Sequence, residues 1–165
     1  MLKTLKKHFF TIALIGFVIY VQLPLFLKNS DKEGLKLNAK SYESVAPSAT
    51  DVTYPPAGNA LAIFWATWCA PCKLEMSRLK ESVLSGKIPR EKVFAINPFE
   101  ALPLQRKYIL ENDYPFQFIT GDEIVSKLEL TATPTTILTT DSEVISVSSG
   151  ISLIGIWEAE SFLKQ

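Results

Sequence analysis

The stretch Phe64-Trp65-Ala66-Thr67-Trp68-Cys69-Ala70-Pro71-Cys72-Lys73-Leu74-Glu75-Met76 joins two patterns of opposite period. Ala60 to Trp65 is a continuous apolar run with the composition of a strand buried on both faces. Cys69 to Leu84 has helical spacing, with Cys72, Met76, Leu79 and Val83 at i, i+4, i+7 and i+11. The Cys-x-x-Cys at the junction therefore falls in the first turn of a helix. The first amides of a helix lack intrahelical partners, and the helix dipole adds partial positive charge there. Both favour a thiolate at Cys69, whose pKa is expected in the range ~3.5–7.5 instead of ~8.5. Cys69 is thus the candidate attacking sulfur. Ala70 and Pro71 shape the turn, and Pro71 suits a first helical turn because its missing amide hydrogen has no partner there. Cys72 lies on the same side of the helix and can resolve a mixed disulfide.

Two other uses of the pair are a structural disulfide and half of a zinc site. A structural disulfide here closes a very short loop and constrains the unfolded chain little. A zinc site needs four ligands, and the sequence has no further Cys and a single His, His8. No metal site is expected, and no cofactor beyond a redox-active Cys69–Cys72 disulfide.

The run Phe-Trp-Ala-Thr-Trp-Cys-Ala-Pro-Cys-Lys-x-Glu-Met resembles the thioredoxin superfamily, most closely its membrane-anchored, periplasmic branch of TlpA- and ResA-like thiol-disulfide oxidoreductases. The resemblance covers about residues 60 to 150. It implies a cis-proline beside the dithiol, matched by Pro134 in Thr133-Pro134-Thr135, with the backbone of Thr133 pairing to substrate. By itself a proline before a strand reads as a turn. Ile63 occupies the strand position where ordinary thioredoxins carry a buried Asp. The branch instead has a glutamate matching Glu75, three residues after Cys72. One reading makes Glu75 the proton acceptor for Cys72; the other makes it an ordinary acid of a helix start, near Arg78. Trp65 is assigned to the core, and Trp68 to an apolar surface beside the thiol where substrate docks. Lys73 reads as a solvated cation, and Asn97-Pro98-Phe99 as a turn.

The charge is balanced, with Lys+Arg 17 and Asp+Glu 17, so no basic stripe points to nucleic acid. Residues 1–28 read as a membrane anchor. Lys3, Lys6 and Lys7 precede an uncharged run from Phe9 to Leu27, nineteen residues, followed by Lys28. At ~1.5 Å per residue the run reaches ~28 Å, enough for a bilayer core. The leading lysines predict an inside N-terminus and a domain outside. A cleaved signal sequence is the rival reading. Residues 29–59 read as a linker and loose lead-in, with strand-like pieces at Leu35–Leu37 and Val52–Tyr54. The extra hairpin usual there in the resembled branch has only a weak signal in this sequence and is not expected.

Residues 60–165 alternate strand and helix. Strands are expected at Ala60–Trp65, Lys92–Asn97 and Tyr114–Ile119, and helices at Cys69–Leu84, Leu102–Glu111 and Asp122–Leu128. A hairpin of Thr135–Thr140 and Glu143–Ser149 follows, then a helix over Leu153–Leu163 with Ile154, Trp157 and Phe162 facing the core. Strand-helix-strand units pair in parallel and the hairpin adds antiparallel strands. The fold class is therefore α/β: a thioredoxin-like mixed central sheet flanked by helices, with an N-terminal transmembrane anchor. In such a sheet the site lies at the carboxyl ends of the parallel strands, where Cys69 falls.

The reading of the whole is a thiol-disulfide oxidoreductase acting on protein thiols and disulfides. The resemblance implies a single-pass protein of the bacterial inner membrane, its domain facing the periplasm or exterior. It also implies net reduction, in cytochrome c maturation or metal-centre assembly, with a membrane electron donor. A net oxidant is the alternative, since direction follows redox potential. A dithiol metallochaperone is a third reading, lacking a nearby His. A cysteine protease is weaker, having no His in the domain as base.

Overall fold

The computed structural model describes residues 9, 11–17, 20, 29–46, 50–150 and 155–164. Most of the expected anchor, and the expected start of the last helix with Ile154, lie outside the described residues.

At the centre runs β3 (Asn59–Phe64), following two short strands, β1 (Lys40–Tyr42) and β2 (Val52–Tyr54). After it come α1 (Ala70–Leu84), β4 (Val93–Ile96), α2 (Leu102–Asn112), β5 (Gln117–Ile119) and α3 (Asp122–Lys127). The chain closes with β6 (Thr135–Thr140), β7 (Glu143–Ser149) and α4 (Gly155–Leu163). Five strands form one sheet in the order β5-β4-β3-β6-β7. β3, β4 and β5 are mutually parallel, while β6 and β7 run antiparallel to their neighbours.

Strand periodicity distributes β3 and β4 between two cores. Leu61, Ile63, Val93 and Ala95 pack with Met76 and Leu79 of α1, Ile109 of α2 and Ile156 of α4. Ala60, Ala62, Phe64, Phe94 and Ile96 pack on the opposite face with Tyr54, Ile124 of α3 and Val144. The expected apolar stripe of α1 holds: Cys72, Met76 and Leu79 are buried and Val83 packs against them. Pro103 sits in the first turn of α2, where its missing amide hydrogen costs nothing.

Three expectations are corrected. The strand expected from Tyr114 is paired only over Gln117–Ile119, because Pro115 has no amide hydrogen to give a ladder. Trp157 is 67% exposed instead of core-facing, since the buried stripe of α4 is Ile156, Ala159 and Leu163. The lead-in is not loose, for β1 pairs with β2 in register Lys40↔Tyr54 to Tyr42↔Val52. It also pins itself to both edges of the main sheet. Leu37 N donates to Ser142 O and Val144 N to Leu35 O at the β7 edge. Val45 N donates to Phe118 O and Thr120 N to Glu43 O at the β5 edge. The order of these short strands comes from partners distant in sequence.

The Asp141-Ser142 turn works without glycine. Both residues have positive φ, 46° and 72°, as the twist of a two-residue hairpin loop requires. Gly58 N donates to the Asp141 carboxylate at 2.8 Å and Asp141 N donates to Gly58 O at 3.1 Å, holding that strained backbone. Among the described residues no helix is long and apolar enough to cross a membrane.

Candidate active site

Cys69 and Cys72 are joined in a disulfide of 2.01 Å, with Cα atoms 5.3 Å apart. Cys69 is the N-cap residue of α1, in extended backbone, and its Sγ accepts from the Cys72 amide at 3.2 Å. The sulfur thus takes one of the amide donors that a helix start leaves unpaired. Pro71 lies in the first turn, after Ala70. Cys69 keeps 4% of its surface and Cys72 none, so an incoming partner meets Cys69 first.

β3 delivers this turn to one end of the sheet. Phe64, its last residue, is in register with Thr135, the first of β6. The Thr133–Pro134 peptide just before Thr135 is cis, as the resemblance implies. Pro134 O accepts from Gly150 N at 2.8 Å, and Thr135 Oγ1 donates to Ala132 O. Thr133, Pro134 and the disulfide therefore share one end of the sheet. Trp68 stands 67% exposed and its ring lies 6.5 Å from that of Phe99, forming an apolar rim. Trp65 is buried against Tyr108 and Phe118, as expected.

Glu75 is buried one turn beyond Cys72, its carboxylate 3.2 Å from the Arg78 guanidinium. Burial pushes its carboxyl above the ordinary glutamate range, and the Arg78 charge and hydrogen bond only partly offset this. Ile63, buried in the same cluster as Cys72, brings no second acid to that face. Glu75 lines a cavity of about 20 Å³ together with Leu61, Thr136, Ser146 and Ser148. A water needs roughly 10–15 Å³ and several polar partners, so this space admits one. The raised pKa means the fold gains most from this group below the ordinary glutamate pKa and loses that gain as pH rises through the folded value. Against Glu75→Gln, the native chain should therefore gain stability in urea unfolding as pH falls from 7 to 4. A constant difference would contradict the raised pKa.

A second acid escapes sequence reading. Glu100, just before α2, accepts from Thr67 N at 2.6 Å and from Asn97 Nδ2 at 2.6 Å, and also from the Thr67 hydroxyl. Gln105 Nε2 donates to Asn97 O and Glu100 O, at 2.8 and 2.6 Å, fixing the loop that carries them. This network clamps the residue two before Cys69. Burial pushes the Glu100 carboxyl up, but the bonds from Thr67 and Asn97, with the Lys73 charge, outweigh it and hold the group below the glutamate range. The only sequence signal is an acid and an amide flanking Pro98-Phe99 at a strand end, which reads equally well as a turn. Since the folded pKa is lowered, the stability from Glu100 is present above the ordinary glutamate pKa and is lost as pH falls through the folded value. Glu100→Gln should cost about 1–2 kcal/mol at pH 7, the scale of a charge-assisted hydrogen bond, and less at pH 3. Equal stability of the two proteins at both pH values would refute the clamp.

Among the described residues no cluster of three or more His, Cys, Asp or Glu side chains that could hold a metal comes together.

No family model matches the sequence, and none of the curated proteins does. Solved structures resemble it. StoA from Bacillus subtilis superposes with a TM-score of 0.64 at 16% identity, over 78% of this chain and 98% of that one. The thioredoxin domain of a thiol-disulfide oxidoreductase from Bacteroides vulgatus gives 0.65 at 14% identity, over 79% and 97%. A thiol:disulfide interchange protein of the thioredoxin family from Chlorobium tepidum gives 0.65 at 15%, over 81% and 98%. The mixed sheet, its flanking helices and these superpositions together identify the fold of this chain as the thioredoxin fold.

Proposed function

We propose that this protein is a thiol-disulfide oxidoreductase that exchanges disulfides with protein substrates through Cys69 and Cys72. The observation that carries the reading is the sulfur of Cys69 at the N-cap of α1, accepting a helix amide and accessible ahead of Cys72. The solved structures of like fold include proteins described as thiol-disulfide oxidoreductases and interchange proteins, which supports it.

In the reduced enzyme the Cys69 thiolate attacks one sulfur of a substrate disulfide and expels the other as a thiolate. Cys72, deprotonated, then attacks Cys69 Sγ, expelling the second substrate thiolate and restoring the Cys69–Cys72 bond. The substrate gains two electrons and two protons, and the enzyme loses them. Glu75, buried one turn away with a raised pKa, takes the Cys72 proton. The exposed Trp68–Phe99 rim and the backbone at Thr133 and cis-Pro134 receive the substrate strand.

The finer reading is a reductase, tethered to the bacterial inner membrane with its domain facing the periplasm or exterior and recharged by a membrane electron donor. Reduction of insulin by the full chain in detergent micelles tests the activity. Equilibration against a glutathione series tests the direction: a potential near that of thioredoxin, about −270 mV, supports a reductase, and one near about −120 mV makes the chain a net oxidant. Glu75→Gln should slow exchange at neutral pH while the fold stays intact. Rates indistinguishable from the native chain across pH 6 to 9 would remove Glu75 from the mechanism.

A further inference from the structure

The described residues ahead of the domain form an apolar helix with no face covered. Phe9, Ile12, Leu14, Ile15, Phe17 and Tyr20 are between 53% and 78% exposed. A helix that is apolar all round needs lipid or a protein interior about it. The uncharged run ends at Leu27, two residues before Asn29. Two residues span at most ~7 Å, so the place of Asn29 on the domain fixes where that run joins it.

Asn29 sits at the dithiol end. Its Nδ2 donates to Ser149 Oγ at 3.2 Å, and that hydroxyl shares a hydrogen bond of 2.9 Å with Thr135 Oγ1. Thr135 follows the cis-Pro134 and is in register with both Ser149 and Phe64, from which the chain runs to Cys69. From Asn29 the backbone then travels away from the dithiol along β7. Gly34 N donates to Val144 O and Leu37 N to Ser142 O, at the far end of the hairpin. The two ends of β6, a strand of six residues, are ~17 Å apart at a rise of ~3.3 Å per residue. The apolar run thus joins the domain at the dithiol end and not at the hairpin turn.

We infer that the Cys69–Cys72 end of the domain faces the bilayer surface, so that its thiol-disulfide exchange takes place at headgroup level. The inference rests on the membrane-tethered reading proposed above.

The test uses the full chain in phosphatidylcholine vesicles. With the native pair kept as a disulfide, a single thiol is introduced by Ala101→Cys, next to the rim, or by Glu91→Cys, before β4 at the opposite end. Both positions are exposed. Each is labelled with a fluorophore and quenched by a lipid carrying a nitroxide on its headgroup. Quenching at position 101 is expected to exceed that at 91 several-fold. Equal quenching, or stronger quenching at 91, overturns the orientation while leaving the anchor in place. A chain that fails to float with the vesicles overturns both. Insulin reduction in detergent reads the exchange activity independently of either result.

Discussion

Cys69→Ala abolishes the reduction of insulin, by roughly 10³-fold or more, the scale on which loss of a covalent nucleophile acts. The remaining thiol, Cys72, is fully buried and does not substitute for it. Cys72→Ala behaves differently. It keeps the accessible sulfur and the helix amides around it, so the first attack proceeds and the mixed disulfide then has no resolving thiol. The expected result is a covalent one-to-one adduct on a non-reducing gel, released by added dithiothreitol. Carried out in cells, the same trap identifies the physiological partner. If Cys69→Ala accumulates adducts and Cys72→Ala does not, the roles of the two sulfurs are reversed.

Trp65→Ala should destabilise the domain by about 3–5 kcal/mol, as large-to-small changes of buried aromatics do. That is a large part of the ~5–15 kcal/mol that holds a domain of this size together. Trp65 is 1% exposed, with Tyr108 at 5.2 Å and Phe118 at 5.7 Å between ring centroids, and its amide donates to Ile96 O. Its indole Nε1 has no hydrogen-bond partner among the described residues. An unpaired buried donor costs about 1–3 kcal/mol, which Trp65→Phe removes along with part of the ring. The phenylalanine variant should therefore lose less than half of what the alanine variant loses in urea unfolding. Equal losses would mean that the indole nitrogen is satisfied in solution.

The sequence carries the parts of the fold that rest on local pattern. The apolar run of β3, the helical stripe of α1 and the bounds of the β6–β7 hairpin are legible because each follows its own period. Both thiols are legible because spacing places them at a helix start. Proline isomers are not written in a sequence, and cis-Pro134 was readable only through the resemblance. Glu100 and Asn97 stayed hidden because their importance lies in Glu100, held by Asn97, meeting Thr67, 33 residues earlier in the chain, and no local spacing encodes that encounter. β1, and its pairing with the strand read at Val52–Tyr54, were missed for the same reason: three-residue strands become ordered through partners far along the chain. Trp157 shows the converse, a large apolar residue whose helical phase lies one position off the buried stripe.

The backbone around Leu35–Leu37 and Glu43–Val45 lies along the outermost strands on both sides of the sheet. Cut away, it would leave two rows of bare amides and carbonyls, which readily template pairing with other copies. A fragment starting near residue 50 should thus clump into oligomers at concentrations where the intact protein stays dispersed. The practical boundary for producing the domain alone lies at Asn29.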